Sequence, residues 1–529
     1  MELSLQNVLK AQWDHLDYHI VECMVGTRDD ILGSIYQWRD NPGTESICWL
    51  RGVAGIGKTT IAKSVCKNTA AAESEHILGG SFFCSRGDAA LSDFKRIFPS
   101  LALQLCKNVP GFHQKLLSTW LSLPTANEIP TAPADQFLTL ILNPLLSYKD
   151  GLVLLVIDAL DECAMLDAAE WLFQSISGHV QQVPHLKILV TSRPETEILT
   201  ATSNSAIPLH TLILPRKNQE DRTESDLKVF FKETLKELAE KNHARDKQPL
   251  DFPSDKLVLD LVNRAQGSFI YARIVCNAAK NSSFFYRDTA LQFAKGASSH
   301  SGLKPIYELY TLILQRSIER TGNLSAEKEL LYSILGTIIH LQTPLSVRDL
   351  ANLMNISAEK VFNHLDQIRS ILHLAEDIDS LEPVQTIHAT LGDFLVGRSG
   401  ETSKSSLPVI NPAEQHQKIS LCTFMLINNG LTQNPCMLDR FTCNPKSEVV
   451  KKHISGSLSY ACQFWADHLV LCEVDITKGS ELMSDIQKFS ENKLLLWIET
   501  CSLLGHVDSI FHSLHVLFQN TNWSSWLVC

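Results

Sequence analysis

The stretch GVAGIGKTTI, residues 52–61, decides the fold of this chain. Gly52, four residues, then Gly57-Lys58-Thr59 is the spacing of a Walker A loop. Each part has a mechanical task. Glycines at 52, 55 and 57 let backbone N–H groups turn inward around phosphate oxygens. Lys58 reaches the β- and γ-phosphates, and the Thr59 hydroxyl ligates Mg2+. Thr59 and Thr60 open a helix whose positive end faces the anion. The apolar run SICWLRGV precedes the loop and TTIAKSVC follows it. The loop therefore lies between a strand and a helix, the context that its chemistry requires.

Four more short apolar runs follow: ILGGSFFCS, GLVLLVIDAL, HLKILVTSR and TLILPR. With SICWLRGV they predict a five-stranded parallel sheet, because near-continuous apolar strands are buried on both faces. The intervening segments, among them FKRIFPSLALQLCKN and DAAEWLFQSISGHV, are long enough for crossover helices. The fold class expected is an α/β P-loop NTPase domain.

The same sheet supplies acidic and basic partners for the loop. LLVIDALDE ends a strand in Asp158, which is placed to complete a Mg2+ shell. Asp161 and Glu162 follow within one turn, and either is placed to orient or activate a water for attack on the γ-phosphate. HLKILVTSRP ends in Thr191-Ser192-Arg193, at the carboxyl edge where open α/β sheets bind ligands. Arg193 is a candidate γ-phosphate sensor, and Arg86 in SFFCSRG a second candidate by the same logic.

Beyond TLILPR the alternation stops. KNQEDRTESD is a charged break, and DLKVFFKETLKELAEKN is amphipathic, with Leu227, Phe230, Phe231, Leu235 and Leu238 on one face. Residues 326–398 change again. Three helices, two of them following Ser346 and Ser357 as N-caps, precede two strands around an acidic turn and a short helix. That is the order of a winged helix. RSGETSKSSLPVINP reads as a polar linker and the remainder as all-α, without a repeat period. The expected divisions are a short N-terminal segment (1–25), a nucleotide-binding domain (26–222), a helical domain (223–322), a winged helix (323–400) and an α-helical C-terminal region (401–529).

Bulk properties narrow the function classes. A net charge of -11 argues against a general nucleic-acid surface. No apolar run approaches the roughly 20 residues of a membrane span, and the N-terminus lacks the pattern of a secretory signal. The 14 cysteines contain no C-x-x-C pair or zinc spacing, which fits reduced, packed thiols in a cytoplasmic protein.

Taken together, VGTRDDIL, GVAGIGKTT, SFFCSRG, LLVIDALDEC, ILVTSRPE, RAQGSFIYAR, IYELYTLIL and IHATLGDFL occur in the order seen in one family. The chain resembles NACHT-type members of the STAND class of signalling NTPases, particularly the fungal set and the nephrocystin-3-like N-terminal module. The resemblance implies an ATP/ADP switch with Mg2+, slow hydrolysis, and exchange that opens the protein for self-association in NLR-like, innate-immunity or non-self signalling. It places Val25-Gly26-Thr27-Arg28 near the adenine and Gly267 in the domain that lids the base. It gives His388 a contact to the ADP β-phosphate. Such proteins commonly carry an N-terminal effector and a C-terminal repeat sensor; neither is recognisable here. A downstream protein partner is implied but not named by the sequence.

Three other readings compete. A nucleic-acid ATPase would use the winged helix, yet SAEKVFNHLDQIRSIL balances Lys360 and Arg369 against Glu359 and Asp366. A small-molecule kinase would leave the downstream domains without a role. A scaffold that binds nucleotide without turnover also fits, because Walker motifs can persist without hydrolysis.

Overall fold

The computed structural model of the chain describes residues 22–71, 76–121, 132–165, 168–176, 179–195, 198–200, 202, 208–214, 222–242, 252–282, 286–295, 304–320, 325–397, 407–438, 447–472 and 481–520. The segments LSLQNVLKAQWDHL and TNWSSWLVC, and most of the expected loops and linker, lie outside them. The chain forms two compact units, Met1–Ile306 and Tyr307–Cys529.

The first unit is built on one parallel sheet. Its strands are β1 (Ile47–Arg51), β2 (His76–Phe83), β3 (Leu152–Asp158), β4 (Leu186–Ser192) and β5 (Leu209–Ile213), all five at the expected apolar runs. The order across the sheet is β2-β3-β4-β1-β5. β3 and β4 are buried at every position. The two-residue side-chain period then divides them between two cores. Leu154, Val156 and Leu189 pack with Ile35 and Trp38 of α1 (Asp29–Asp40) and Ile61 and Val65 of α2 (Lys58–Ala71). Val153, Leu155, Ile157, Ile188 and Val190 pack on the other face with α3 (Ile97–Asn108), α4 (Phe112–Leu121) and α5 (Ala168–Ile176). Each such side chain contributes about 1.5–3 kcal/mol when withdrawn from water. Lys187 interrupts β4 at the amino edge, fully buried, and donates to the Thr44 carbonyl and hydroxyl and the Glu45 carbonyl at 3.0, 2.7 and 3.2 Å.

Helices complete the unit: α6 (Arg222–Asn242), α7 (Asp255–Ala265), α8 (Phe269–Asn281) and α9 (Tyr286–Ala294). The amphipathic pattern of α6 is realised, with Leu227, Phe231, Leu235 and Leu238 buried. Ser254 and Ser268 cap α7 and α8, accepting from the N–H groups of Leu257 and Tyr271.

The second unit opens within α10 (Lys304–Arg320). Then come α11 (Ser325–His340), α12 (Val347–Met354), α13 (Ala358–Gln367), antiparallel strands β6 (Leu372–His373) and β7 (Gln385–Thr386), and α14 (Thr390–Leu395). This is the order expected of a winged helix. Ser346 and Ser357 are true N-caps, accepting from the N–H groups of Asp349 and Lys360. IYELY and GDFL meet in one aromatic cluster, Tyr307 and Tyr310 against Phe394.

Among the described residues a short helix over Ser447–His453 and five longer ones follow: α15 (Pro412–Gly430), α16 (Gly456–Val470), α17 (Glu481–Asn492), α18 (Leu494–Leu504) and α19 (Val507–Gln519). Phe424, Trp465, Phe489 and Trp497 pack edge-on at their centre. They are joined to the winged-helix-like part by polar contacts. Asp349 of α12 accepts the Ser457 N–H at 2.8 Å, a carboxylate at the positive end of α16.

A second junction is a buried imidazole chain. The Gln342 N–H donates to the Tyr460 hydroxyl at 2.9 Å, and that hydroxyl lies 2.6 Å from His468 Nε2. His468 Nδ1 lies 2.9 Å from His416 Nδ1, and the His340 ring stands edge-on to His416. The chain is satisfied when Tyr460 donates to His468 and His468 to His416, with all rings neutral. A proton on His416 Nδ1 would oppose the donor of His468. Burial, then His340, pushes His416 down to about 4, and burial holds His468 well below its ordinary value. Between pH 6.5 and 4 the unfolded chain therefore binds protons that the folded unit refuses, and stability falls as pH falls through that window. Hydrogen exchange of α11, α15 and α16, corrected for intrinsic rates, should show at least roughly ten- to thirty-fold more opening at pH 5 than at pH 7.5, the share of His416 alone. Equal protection at both pH values would contradict the neutral chain.

Candidate nucleotide site

β1 ends at Arg51 and the chain turns through residues 52–57 into α2. Gly55 and Gly57 have φ of +75° and +101°, the left-handed region in which a side chain is strained. A Cβ on Gly55 would also stand 2.3 Å from Ile270 Cγ2. The turn aims the amino end of α2 outward, and the first turn of α2 holds no acidic residue to compete with an anion. Lys58 is buried, and its Nζ donates to the carbonyls of Gly52 and Val53 at 2.7 and 3.1 Å. Burial pushes its amine below the usual range. A phosphate is the group that would restore full charge to such a desolvated ammonium.

Strand order brings the acidic partners to the same edge. β4 lies between β1 and β3, so Thr191 stands beside Leu50 on one side while Val190 pairs with Ile157 on the other. The Thr191 hydroxyl donates to Asp158 Oδ1 at 2.5 Å and accepts the Ala159 N–H at 3.0 Å. Ala159 takes a left-handed conformation, φ 55°, which turns the chain away after Asp158. Asp158 is 1% exposed, and burial raises its carboxyl to about 6 against hydrogen bonds from Thr191 and Thr59. A threonine hydroxyl joined to a buried carboxylate, one residue from a lysine and a helix amino end, is a donor set of hard oxygens that fits Mg2+ beside a phosphate.

The four charged groups around them divide their work. Asp161 is engaged through both oxygens: Oδ1 accepts the Arg193 N–H at 2.9 Å, and Oδ2 pairs with Arg193 Nε at 3.0 Å. Arg86 holds the segment from the other side, with Nη2 on the Asp161 carbonyl at 2.8 Å and its N–H on Glu162 Oε2 at 3.3 Å. Burial and the neighbouring Asp161 raise the Glu162 carboxyl to about 7. Of the two acids, Glu162 thus has the proton affinity suited to a base at neutral pH.

Gly26 has φ +81° and Arg28 φ 62° at the start of α1. The Arg28 guanidinium is committed inside the protein. It donates to the Ile56 carbonyl of the loop at 2.7 Å and to Thr223 at 3.1 Å, and lies 4.6 Å over the Phe269 ring. Its N–H donates to Asp226 at 3.2 Å. Arg28 therefore braces the loop against α6 and α8. The Ile270 N–H on the Gly55 carbonyl at 3.1 Å makes the same junction. Gly267, φ +82°, makes the turn between α7 and α8 that brings Ile270 there. Thr60 lies half-buried in the first turn of α2. In the second unit, His388 Nδ1 accepts the Thr390 N–H at 3.2 Å, and the Thr390 hydroxyl lies 2.9 Å from the Tyr310 hydroxyl. The sequence did not point to Asp226, Thr223 or Phe269, which act across long separations; only the carboxylate in a charged break marks the first of them.

Strand order, loop and acidic partners define a P-loop NTPase fold. A family model described as "Nephrocystin 3, N-terminal" matches residues 26–193, the segment from the first glycine of the site to Arg193. Among solved structures, the chain is similar to a Signal Transduction ATPase with Numerous Domains (STAND) protein with a tetratricopeptide repeat sensor from Pyrococcus horikoshii. That likeness has 12% identity and a TM-score of 0.40, covering 98% of this chain and 67% of that one. A second is to a chain of Drosophila ORC bound to DNA, at 13% identity and a TM-score of 0.30, covering 77% of this chain and 100% of that one. No curated protein matches the chain. At such identities and scores the chemistry rests on the residues above. No helix among the described residues is long and apolar enough to cross a membrane.

Proposed function

We propose that the chain is a STAND-type nucleotide switch of the NACHT kind, holding ADP or ATP with Mg2+ and hydrolysing ATP slowly. The observation that supports this best is the convergence at one sheet edge of Lys58, Thr59, Asp158, Thr191 and the Asp161–Arg193 pair. Lys58 and the loop amides would bind the phosphates, and Thr59 and Asp158 would hold Mg2+, whose chemistry there would be the neutralisation of phosphate charge. Glu162 takes the proton of the attacking water. Asp161 orients Arg193 towards the γ-phosphate, so that loss of that phosphate is felt at the strand end. Arg28 and Ile270 pass the state of the loop to α6 and α8, because both bind loop carbonyls. His388 is the second unit's candidate contact to the ADP β-phosphate, as the resemblance implies.

Such a switch needs nucleotides that favour the two states unequally, by a few kcal/mol. The test is the mass of the purified full chain with ADP and with a slowly hydrolysed ATP analogue. A monomer in ADP that becomes an assembly in the analogue supports the switch. The same mass in both contradicts self-association. Salt-sensitive binding to duplex DNA would favour the nucleic-acid reading instead.

A further inference from the structure

Cys84 directly follows β2, and Cys163 directly follows Glu162. Separated by 79 positions in the chain, their sulfurs are 3.6 Å apart. Both lie in the core beneath the site, 6% and 9% exposed. Three hydrogen bonds already join the same two segments. The Cys84 N–H donates to the Asp158 carbonyl at 3.0 Å, the Arg86 N–H to Glu162, and Arg86 Nη2 to the Asp161 carbonyl. The backbone is thus held in register on both sides of the sulfur pair. A disulfide needs its sulfurs at about 2.05 Å, a closure that side-chain rotation supplies when the backbones are already adjacent.

We propose that Cys84 and Cys163 are an oxidation site, closing to a disulfide that fixes Glu162 beside Arg86 and stops hydrolysis while the loop still binds nucleotide. The last part rests on the function proposed above. The bond would join the two strand ends through side chains on the core face, away from Lys58 and the loop amides. It would deny Glu162 the movement needed to reach a water at the γ-phosphate.

The oxidant is a small peroxide, since both sulfurs are too enclosed for a bulky disulfide reagent. Cys163, the more exposed, attacks peroxide as thiolate. The O–O bond breaks, hydroxide leaves, and Cys163 becomes a sulfenic acid. Cys84 then attacks that sulfur; the S–S bond forms, the S–O bond breaks, and water leaves with the proton. In sum two thiols lose two protons and two electrons, and one hydrogen peroxide becomes two waters. A thiol reductant reverses the step by exchange.

The experiment treats the reduced full chain with hydrogen peroxide, blocks remaining thiols, and maps peptides. The expected product is a Cys84–Cys163 cross-linked peptide, about 2 Da lighter than its two parts. ATP turnover should drop roughly tenfold or more while binding of a fluorescent ADP stays within about twofold. Dithiothreitol should restore turnover. Cys84→Ser and Cys163→Ser, each repeated as Ala in case one packs poorly, should keep their turnover through the same treatment. Peroxide that yields no Cys84–Cys163 peptide, or a cross-linked protein that turns over ATP as before, overturns the inference. A reduced chain that binds no ADP would instead contradict the proposed function, and the peptide map would still decide whether the thiols pair.

Discussion

Lys58→Ala is expected to abolish nucleotide retention, weakening ADP binding by roughly 100-fold or more. A hydrogen bond to an ionised group is worth about 1.5–3 kcal/mol, and a lysine between two phosphates makes more than one. The structure says why the effect should fall on binding and not on folding. Lys58 is a buried cation whose Nζ donates to the Gly52 and Val53 carbonyls, with the Asp161, Asp158 and Glu162 carboxylates also favouring its charge. Burial already disfavours its charge. Removing it relieves a desolvated charge while giving up two carbonyl acceptors and its attraction to Asp161, Asp158 and Glu162, opposing terms that should leave the melting temperature without nucleotide little changed. What should disappear is the rise in melting temperature on adding ADP and Mg2+, since that rise is binding free energy. A variant that keeps the rise would show that the phosphate lies elsewhere.

Glu162→Gln carries the second large effect. It should lower ATP turnover by about 10²–10⁴-fold, the usual range for a general base, with ADP and ATP affinity nearly unchanged. The pH profile gives a sign that a structural role would not. A base must be unprotonated to act, and the Glu162 carboxyl is raised to about 7. Turnover of the unaltered chain should therefore climb with pH up to about 7 and level above it. In Glu162→Gln that acid limb should vanish along with most of the rate. Asp161→Asn is the useful contrast, because Asp161 is engaged with Arg193 through both oxygens. If Asp161→Asn abolishes the limb and Glu162→Gln leaves it, the two acids have exchanged roles.

The sheet was legible because its strands are short apolar runs; two-sided burial holds throughout β3 and β4, whereas the edge strand β5 is only partly buried, against the expectation for all five. The P-loop was legible because its glycines, lysine and threonine are adjacent in sequence. Ser346 and Ser357 were legible as caps because capping is local. What could not be read were pairings across long separations. Nothing near Arg28 announces that its guanidinium turns inward to Ile56 and Thr223 and its N–H to Asp226. The sequence left Asp161 and Glu162 equivalent, and only the position of Arg193 and Arg86 separates them. His340, His416 and His468 lie on three helices with no common period, so their chain is a product of packing alone. Nor could the ties of α16 to α12 through Asp349 and to Gln342, just beyond α11, through Tyr460 be read from the sequence, since they join positions 108 and 118 apart.

The central claim is that the loop holds its nucleotide as a latch instead of cycling it. The most direct test is to denature the purified full chain, identify the nucleotide released, and compare it with the turnover rate of the same preparation. Close to one ADP per chain is expected, with ATP turnover well below one per second, far slower than the roughly 10 per second of a typical enzyme. A chain purified free of nucleotide that hydrolyses ATP at ten or more per second would contradict it.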